Sequence, residues 1–77
     1  MKDKQELHFQ SRHESGNIYH ILWEVRQIMR KKRRITEFND MRDEVECSRS
    51  YEEALEIMGG HVTLIDDDTG TIYNGRP

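Results

Sequence analysis

Six apolar residues, Ile18, Ile21, Leu22, Val25, Ile28 and Met29, recur at the i, i+3, i+4, i+7 spacing without a gap. This run constrains the fold more than any other feature of the chain. It predicts an amphipathic helix from about 18 to 33, and such a helix must bury its stripe against another element. The material for that is scarce: of 77 residues, 34% are apolar and 35% charged. The length predicts one small domain over 1–77, with loose ends at about 1–5 and 75–77. Low apolar content and high charge can mean disorder. Here the net charge is only −3 and the apolar residues are periodic, so a folded domain is expected.

Shorter signals flank that helix. Leu7 and Phe9 alternate with polar residues, as in a short strand. Asn17 is placed to cap the first helix, and Thr36 to cap a second over about 37–47 with Phe38, Met41 and Val45 on its apolar face. Ser50 and Glu53 form a capping box, opening a third helix to about Met58 with Tyr51, Ala54, Leu55 and Met58 on one side. Gly59-Gly60 is expected to stop it in a positive-φ conformation. Residues 61–65 read as a strand, 66–70 as a turn and 71–74 as the returning strand. The expected fold is α+β: two or three helices packed on a small antiparallel sheet, in the order strand, helices, C-terminal β-hairpin.

Charge is divided along the chain. Residues 1–36 carry a balance of +5 and residues 37–77 a balance of −8. Two solvated helix faces explain this, as does a basic ligand site combined with an acidic partner surface. There is no apolar run long enough to span a membrane and no apolar region after the N-terminal residues, so a soluble cytoplasmic protein is expected. One cysteine, Cys47, is expected to be a buried or half-buried thiol, without a disulfide or a multi-cysteine zinc site. The four histidines lack metal-ligand spacing and read as solvated or satisfied; no metal or cofactor is expected. No nucleophile–base pair or phosphate loop can be assembled, so the reading is a protein that is not an enzyme.

Two local features point to binding. Gly16-Asn17 precedes the strongest helix, with Arg12 and His13 just upstream. A helix start presents free N–H groups and takes anions, although a simple helix cap explains the residues equally. Tyr19, Trp23 and Arg26 lie at i, i+4 and i+7, off the apolar stripe. Aromatic faces beside a cation suit the stacking of a nucleobase; packing against the sheet or a second subunit is the alternative. The candidate ligand-binding residues are therefore Arg12, Gly16, Asn17, Tyr19, Trp23 and Arg26, and the ligand a small phosphorylated or nucleotide molecule. The basic run over 30–34 is outweighed by later acids, so genomic nucleic acid is not expected as a partner. Two apolar or aromatic faces on one helix predict a homo-oligomer.

Gly16-Asn17-Ile18-Tyr19-His20-Ile21-Leu22, followed by Ser50-Tyr51-Glu52-Glu53-Ala54-Leu55 and Val62-Thr63-Leu64, resembles a group of short accessory proteins of tailed bacteriophages. The resemblance spans about residues 15–65. It departs in the basic run and after Asp66. It implies a phage origin, in the cytoplasm of a bacterial host, and transfers no activity to any residue. The function it implies is stoichiometric binding against host antiviral immunity; with the Gly16-Asn17 helix start and Tyr19, Trp23 and Arg26, the preferred form is sequestration of a nucleotide signal. The alternatives are an acidic inhibitor that imitates nucleic acid to a host defence protein through residues 37–56 and 66–68, and a small accessory or transcriptional protein.

Overall fold

The computed structural model describes residues 5–75. Strands β1 (Glu6–Phe9), β2 (Thr63–Asp66) and β3 (Ile72–Tyr73) form one sheet in the order β1-β2-β3. Helices α1 (Ile18–Lys31), α2 (Ile35–Glu46) and α3 (Tyr51–Gly59) fill the chain between β1 and β2. The fold is α+β with the expected order of elements. The expected loose ends fall outside the described residues except at Gln5 and Gly75. Both of these are held: the Gln5 carbonyl accepts the Thr63 N–H at 2.9 Å, and Gly75 lies against the Gly60 backbone.

The sheet is mixed rather than antiparallel throughout. β1 runs parallel to β2, with Glu6 opposite Thr63 and Phe9 opposite Asp66; β2 and β3 are antiparallel. Parallel neighbours need a long crossover, and the three helices supply it. Alternation at Leu7 and Phe9 marks a strand but carries no direction. Leu64 from β2 and Phe9 from β1 join Ile21, Leu22, Val25 and Met29 of α1, Phe38, Met41 and Val45 of α2, and Ala54, Leu55 and Met58 of α3 in one buried cluster.

The junction between α1 and α2 is unusual. The Arg33 N–H donates to the Arg30 carbonyl at 3.0 Å and the Arg34 N–H to the Met29 carbonyl at 2.8 Å. This pair of bonds closes a Schellman turn, whose C′ position takes a left-handed backbone and usually a glycine. Here that position is Arg33, with φ of 58°. A left-handed backbone costs a residue with a Cβ roughly 1–2 kcal/mol. The turn feeds directly into α2, which therefore starts earlier than expected. Arg34 occupies the cap position and its carbonyl accepts the Phe38 N–H at 3.0 Å, while Thr36 sits inside the first turn and caps nothing.

The α3 cap forms as the sequence predicts, with Ser50 Oγ accepting the Glu53 N–H at 3.0 Å. Its other end differs. Gly59 is helical, and Gly60 has φ of −70°, so neither residue needs positive φ. Gly59 is required by proximity instead: a Cβ there would sit 2.7 Å from the Tyr73 carbonyl oxygen of β3. Gly59→Ala gains about 1 kcal/mol of helix propensity. It loses more to the clash, since overpacking costs about 1–3 kcal/mol and the obstacle is backbone. Thermal unfolding should show Gly59→Ala destabilised by several degrees. Gly60→Ala, whose Cβ meets nothing closer than 3.4 Å, should be neutral or slightly stabilised.

Candidate binding surface on helices α1 and α2

The core takes one side of α1 and leaves another side open. Tyr19 is 73% exposed and Trp23 is 59% exposed. From α2, Phe38, Arg42 and Glu46 share one face at i, i+4 and i+8. With Tyr19, Leu22, Trp23 and Arg26 they line an open hollow of about 250 Å³. Enclosed small-molecule pockets hold roughly 300–1,000 Å³. This hollow is therefore a surface on which a flat ring can lie, with two guanidinium groups beside it. Among the described residues, neither Arg26 nor Arg42 is engaged in an ion pair. Their charge is available to an anion.

The structure brings Tyr19, Trp23 and Arg26 together as the helical spacing predicts. It places Arg12, Gly16 and Asn17 outside this hollow. Gly16 belongs to a single 3-10 turn, Glu14–Gly16, and is buried. Its N–H donates to the His13 carbonyl at 3.0 Å, and its carbonyl accepts the Tyr51 hydroxyl at 2.5 Å. A Cβ at Gly16 would lie 2.5 Å from Ser11 Cα, so glycine is required here by close packing. The Asn17 N–H donates to the Glu14 carbonyl at 3.0 Å, and Asn17 Oδ1 accepts the Tyr19 N–H at 2.8 Å. Three N–H groups that an anion at this helix start would use are thus engaged within the chain. The backbone N–H of Arg12 donates to Asp68 Oδ2 at 2.8 Å, and its side chain is exposed.

Asp66 ends β2 and residues 67–69 form the turn, within the 66–70 expected; the Asp66 carboxylate is buried, while Asp67 is exposed. Asp66 is 3% exposed. Its Oδ1 accepts the Ser11 N–H at 3.2 Å and the Asp68 N–H at 2.9 Å, and its Oδ2 accepts the Thr69 hydroxyl at 3.0 Å. Asp67 Oδ1 lies 2.9 Å from His8 Nδ1. The three acids thus fasten β1, at His8, and the segment after it, at Ser11 and Arg12, to the end of β2 and its turn, and only part of their charge is offered to solvent. The acidic surface that remains outward is on α2 and α3. There Glu44, Glu53, Glu56, Cys47 and Ile57 line a second open hollow of about 440 Å³. Cys47 is exposed, at the C-terminal cap of α2, instead of buried: the α2 stripe ends at Val45.

Three of the four histidines sit beside carboxylates. His20 Nε2 is 2.8 Å from Glu24 Oε2, and His61 Nδ1 is 2.6 Å from Glu37 Oε2. Glu37 also takes both Nε and a terminal nitrogen of Arg34, at 2.8 and 3.1 Å. The His61 hydrogen bond, aided by Arg34, holds the Glu37 carboxyl below its ordinary value. Burial alone would push the Asp66 carboxyl up, but its hydrogen bonds from Ser11, Asp68 and Thr69 outweigh this and hold it down. A carboxyl lowered in the folded state stabilises the fold above the unfolded value, about pH 4, and that stability is lost as pH falls through the folded value. The hydrogen bond to Asp67 raises His8, which acts in the opposite sense: its contribution is present below pH 6.5 and fades as pH rises through its folded value. The expected melting temperature therefore drops as pH is lowered below about 4. Asp66→Asn should flatten that drop, as read by thermal unfolding at a series of pH values.

Among the described residues, no three His, Cys, Asp or Glu side chains are placed to hold a metal ion. No described helix is long and apolar enough to cross a membrane. Arg42, Phe38 and Glu46 of the first hollow escape a reading by periodicity. Arg42 does stand out as the one cation among the acids of α2, four residues after Phe38, and that is the signal for it. No family model matches the chain, and no curated protein or solved structure matches it.

Proposed function

We propose that this chain is a non-enzymatic binding protein that holds a nucleotide on the surface formed by Tyr19, Trp23, Arg26 and Arg42. The observation that carries the reading is the pair of exposed aromatic rings beside two guanidinium groups engaged in no described ion pair. Exposed apolar side chains that adjoin one another, as Tyr19 and Trp23 do, mark interaction surfaces more than scattered ones. A base stacks on the rings, and the arginines meet the phosphate; Glu46 supplies an acceptor for an exocyclic amine or a ribose hydroxyl. The phosphate thus moves from the Gly16-Asn17 helix start, whose N–H groups are engaged, to Arg26 and Arg42. The resemblance at residues 16–22 to phage accessory proteins extends the reading to sequestration of a nucleotide signal used in bacterial antiviral defence.

A thermal-shift series tests this directly, because a ligand that binds only the folded state must raise its melting temperature. At a hundredfold excess over Kd the stabilisation is about 2.7 kcal/mol. Nucleoside mono- and diphosphates and cyclic dinucleotides should raise the melting temperature; the corresponding nucleosides and inorganic phosphate should do much less. No shift with any nucleotide at millimolar concentration contradicts the reading.

The outward acids of α2 and α3 support the second reading, an inhibitor that presents its acidic face to a host defence protein. Asp43 and Glu44 are exposed and lie outside the aromatic hollow. Reversing both to Lys should leave nucleotide binding intact and abolish inhibition only if that face is the working surface.

A further inference from the structure

The aromatic surface continues along α1. Tyr19, Trp23, Arg26 and Arg30 follow at i, i+4, i+7 and i+11, so they fall in one stripe down the helix. Tyr19 and Arg30 are eleven positions apart, about 16 Å at 1.5 Å per residue. Lys31 at the helix end and Lys32 and Arg33 past it add exposed cations, while Arg34 is turned to Glu37. Among the described residues, Arg30, Lys31, Lys32 and Arg33 make no ion pair. Arg33 is a second, independent observation. It occupies the left-handed position of the Schellman turn, φ 58°, where glycine would relieve the strain. Strained positions cluster at functional sites, which makes the Arg33 side chain a candidate for use.

Resting on the nucleotide reading of the Tyr19–Trp23 surface, we infer that the site extends to Arg30 and Arg33 and takes a linear single-stranded oligonucleotide. Bases stack at the Tyr19 and Trp23 end, and successive phosphates run along Arg26, Arg30 and the α1–α2 corner. A single nucleotide covers only the aromatic end. Stacked nucleotides rise by about 3.4 Å each along one strand, so several are needed to reach Arg33. A duplex is disfavoured, because its bases are already stacked on one another and closed to Tyr19 and Trp23.

The fluorescence of Trp23, the single tryptophan, reports occupancy of the aromatic end. Titrations with thymidine monophosphate, a thymidine dinucleotide and hexathymidylate separate the sources of the chemistry. The hexamer should bind at least tenfold more tightly than the monophosphate, with the dinucleotide between them. Its affinity should fall with salt, by a log–log slope near −0.7 for each phosphate neutralised. In the double variant Arg30→Ala, Arg33→Gly the hexamer should lose that tenfold advantage and its slope should become shallower. Monophosphate binding should stay as in the wild type. Arg33→Gly alone should melt a few degrees higher than wild type while binding the hexamer less tightly, so a weaker affinity there is not a folding defect. Equal binding of hexamer and monophosphate overturns the extension and leaves the nucleotide reading standing. Binding of neither overturns both. A dimer by light scattering that the double variant dissolves, with no oligonucleotide binding, assigns the stripe to a second copy and overturns the inference.

Discussion

Asp66→Ala should lower the melting temperature by more than about 10 °C, far more than alanine at either neighbouring aspartate. The side chain is 3% exposed and accepts hydrogen bonds from Ser11, Asp68 and Thr69. Removing it orphans two backbone N–H groups, while the Thr69 hydroxyl keeps its hydrogen bonds with Thr71. An unsatisfied buried group costs about 1–3 kcal/mol, and bonds to a charged acceptor lie near 1.5–3 kcal/mol. Solvent reaching part of the turn reduces the total, leaving about 3 kcal/mol. For a domain of this size each kcal/mol moves the midpoint by roughly 4–8 °C. Asp67→Ala breaks only an exposed contact with His8, where a pair contributes at most about 1 kcal/mol. Thr69→Ala removes one of the three donors to Asp66 and should fall between the two. Calorimetry on the three variants checks the order. If Asp66→Ala melts like Asp67→Ala, the turn is not fastened by that carboxylate.

Trp23→Ala should weaken nucleotide binding tenfold or more while shifting the melting temperature by only a few degrees. A lost base stack costs about 1–3 kcal/mol, and 1.4 kcal/mol is a factor of ten. The ring is 59% exposed, so its removal leaves no closed cavity in the core. Arg26→Ala should give a similar loss of affinity with no loss of stability, since a bond to a charged group lies near 1.5–3 kcal/mol. The opposite pattern, a badly destabilised Trp23→Ala beside wild-type affinity in Arg26→Ala, makes the aromatic pair a packing element and removes the site.

The helices were legible because their signals are local. Ile21, Leu22, Val25 and Met29 repeat at the helical period, and all four are buried. Asn17 and Ser50 cap α1 and α3 because a side-chain oxygen two or three residues before an N–H needs no tertiary help. The strand direction of β1 was not legible, since pairing with β2 is decided across more than fifty residues of intervening chain. The start of α2 was misplaced because a Schellman turn ordinarily shows a glycine, and here the position holds Arg33. Gly59 reads as a conformational device and is a close-packing one, and Gly16, a candidate for the ligand site, is packed against Ser11 instead; only the neighbouring backbone reveals either. Within the candidate site, the α1 residues followed from periodicity. The α2 residues Phe38, Arg42 and Glu46 required knowing how the two helices pack.

Nitrogen–proton correlation spectra during a titration with adenosine monophosphate locate the binding surface residue by residue. The indole N–H of Trp23 is a unique reporter, because the chain has one tryptophan. Saturable shifts are expected of that indole and of the amides of residues 19–26 and 38–46, with the acidic hollow at Glu53, Glu56 and Ile57 unmoved. Arg26→Ala should move the same curve to at least tenfold higher ligand. Shifts confined to residues 12–17, or centred on Cys47 and Glu53, or absent at millimolar nucleotide, would contradict that binding surface.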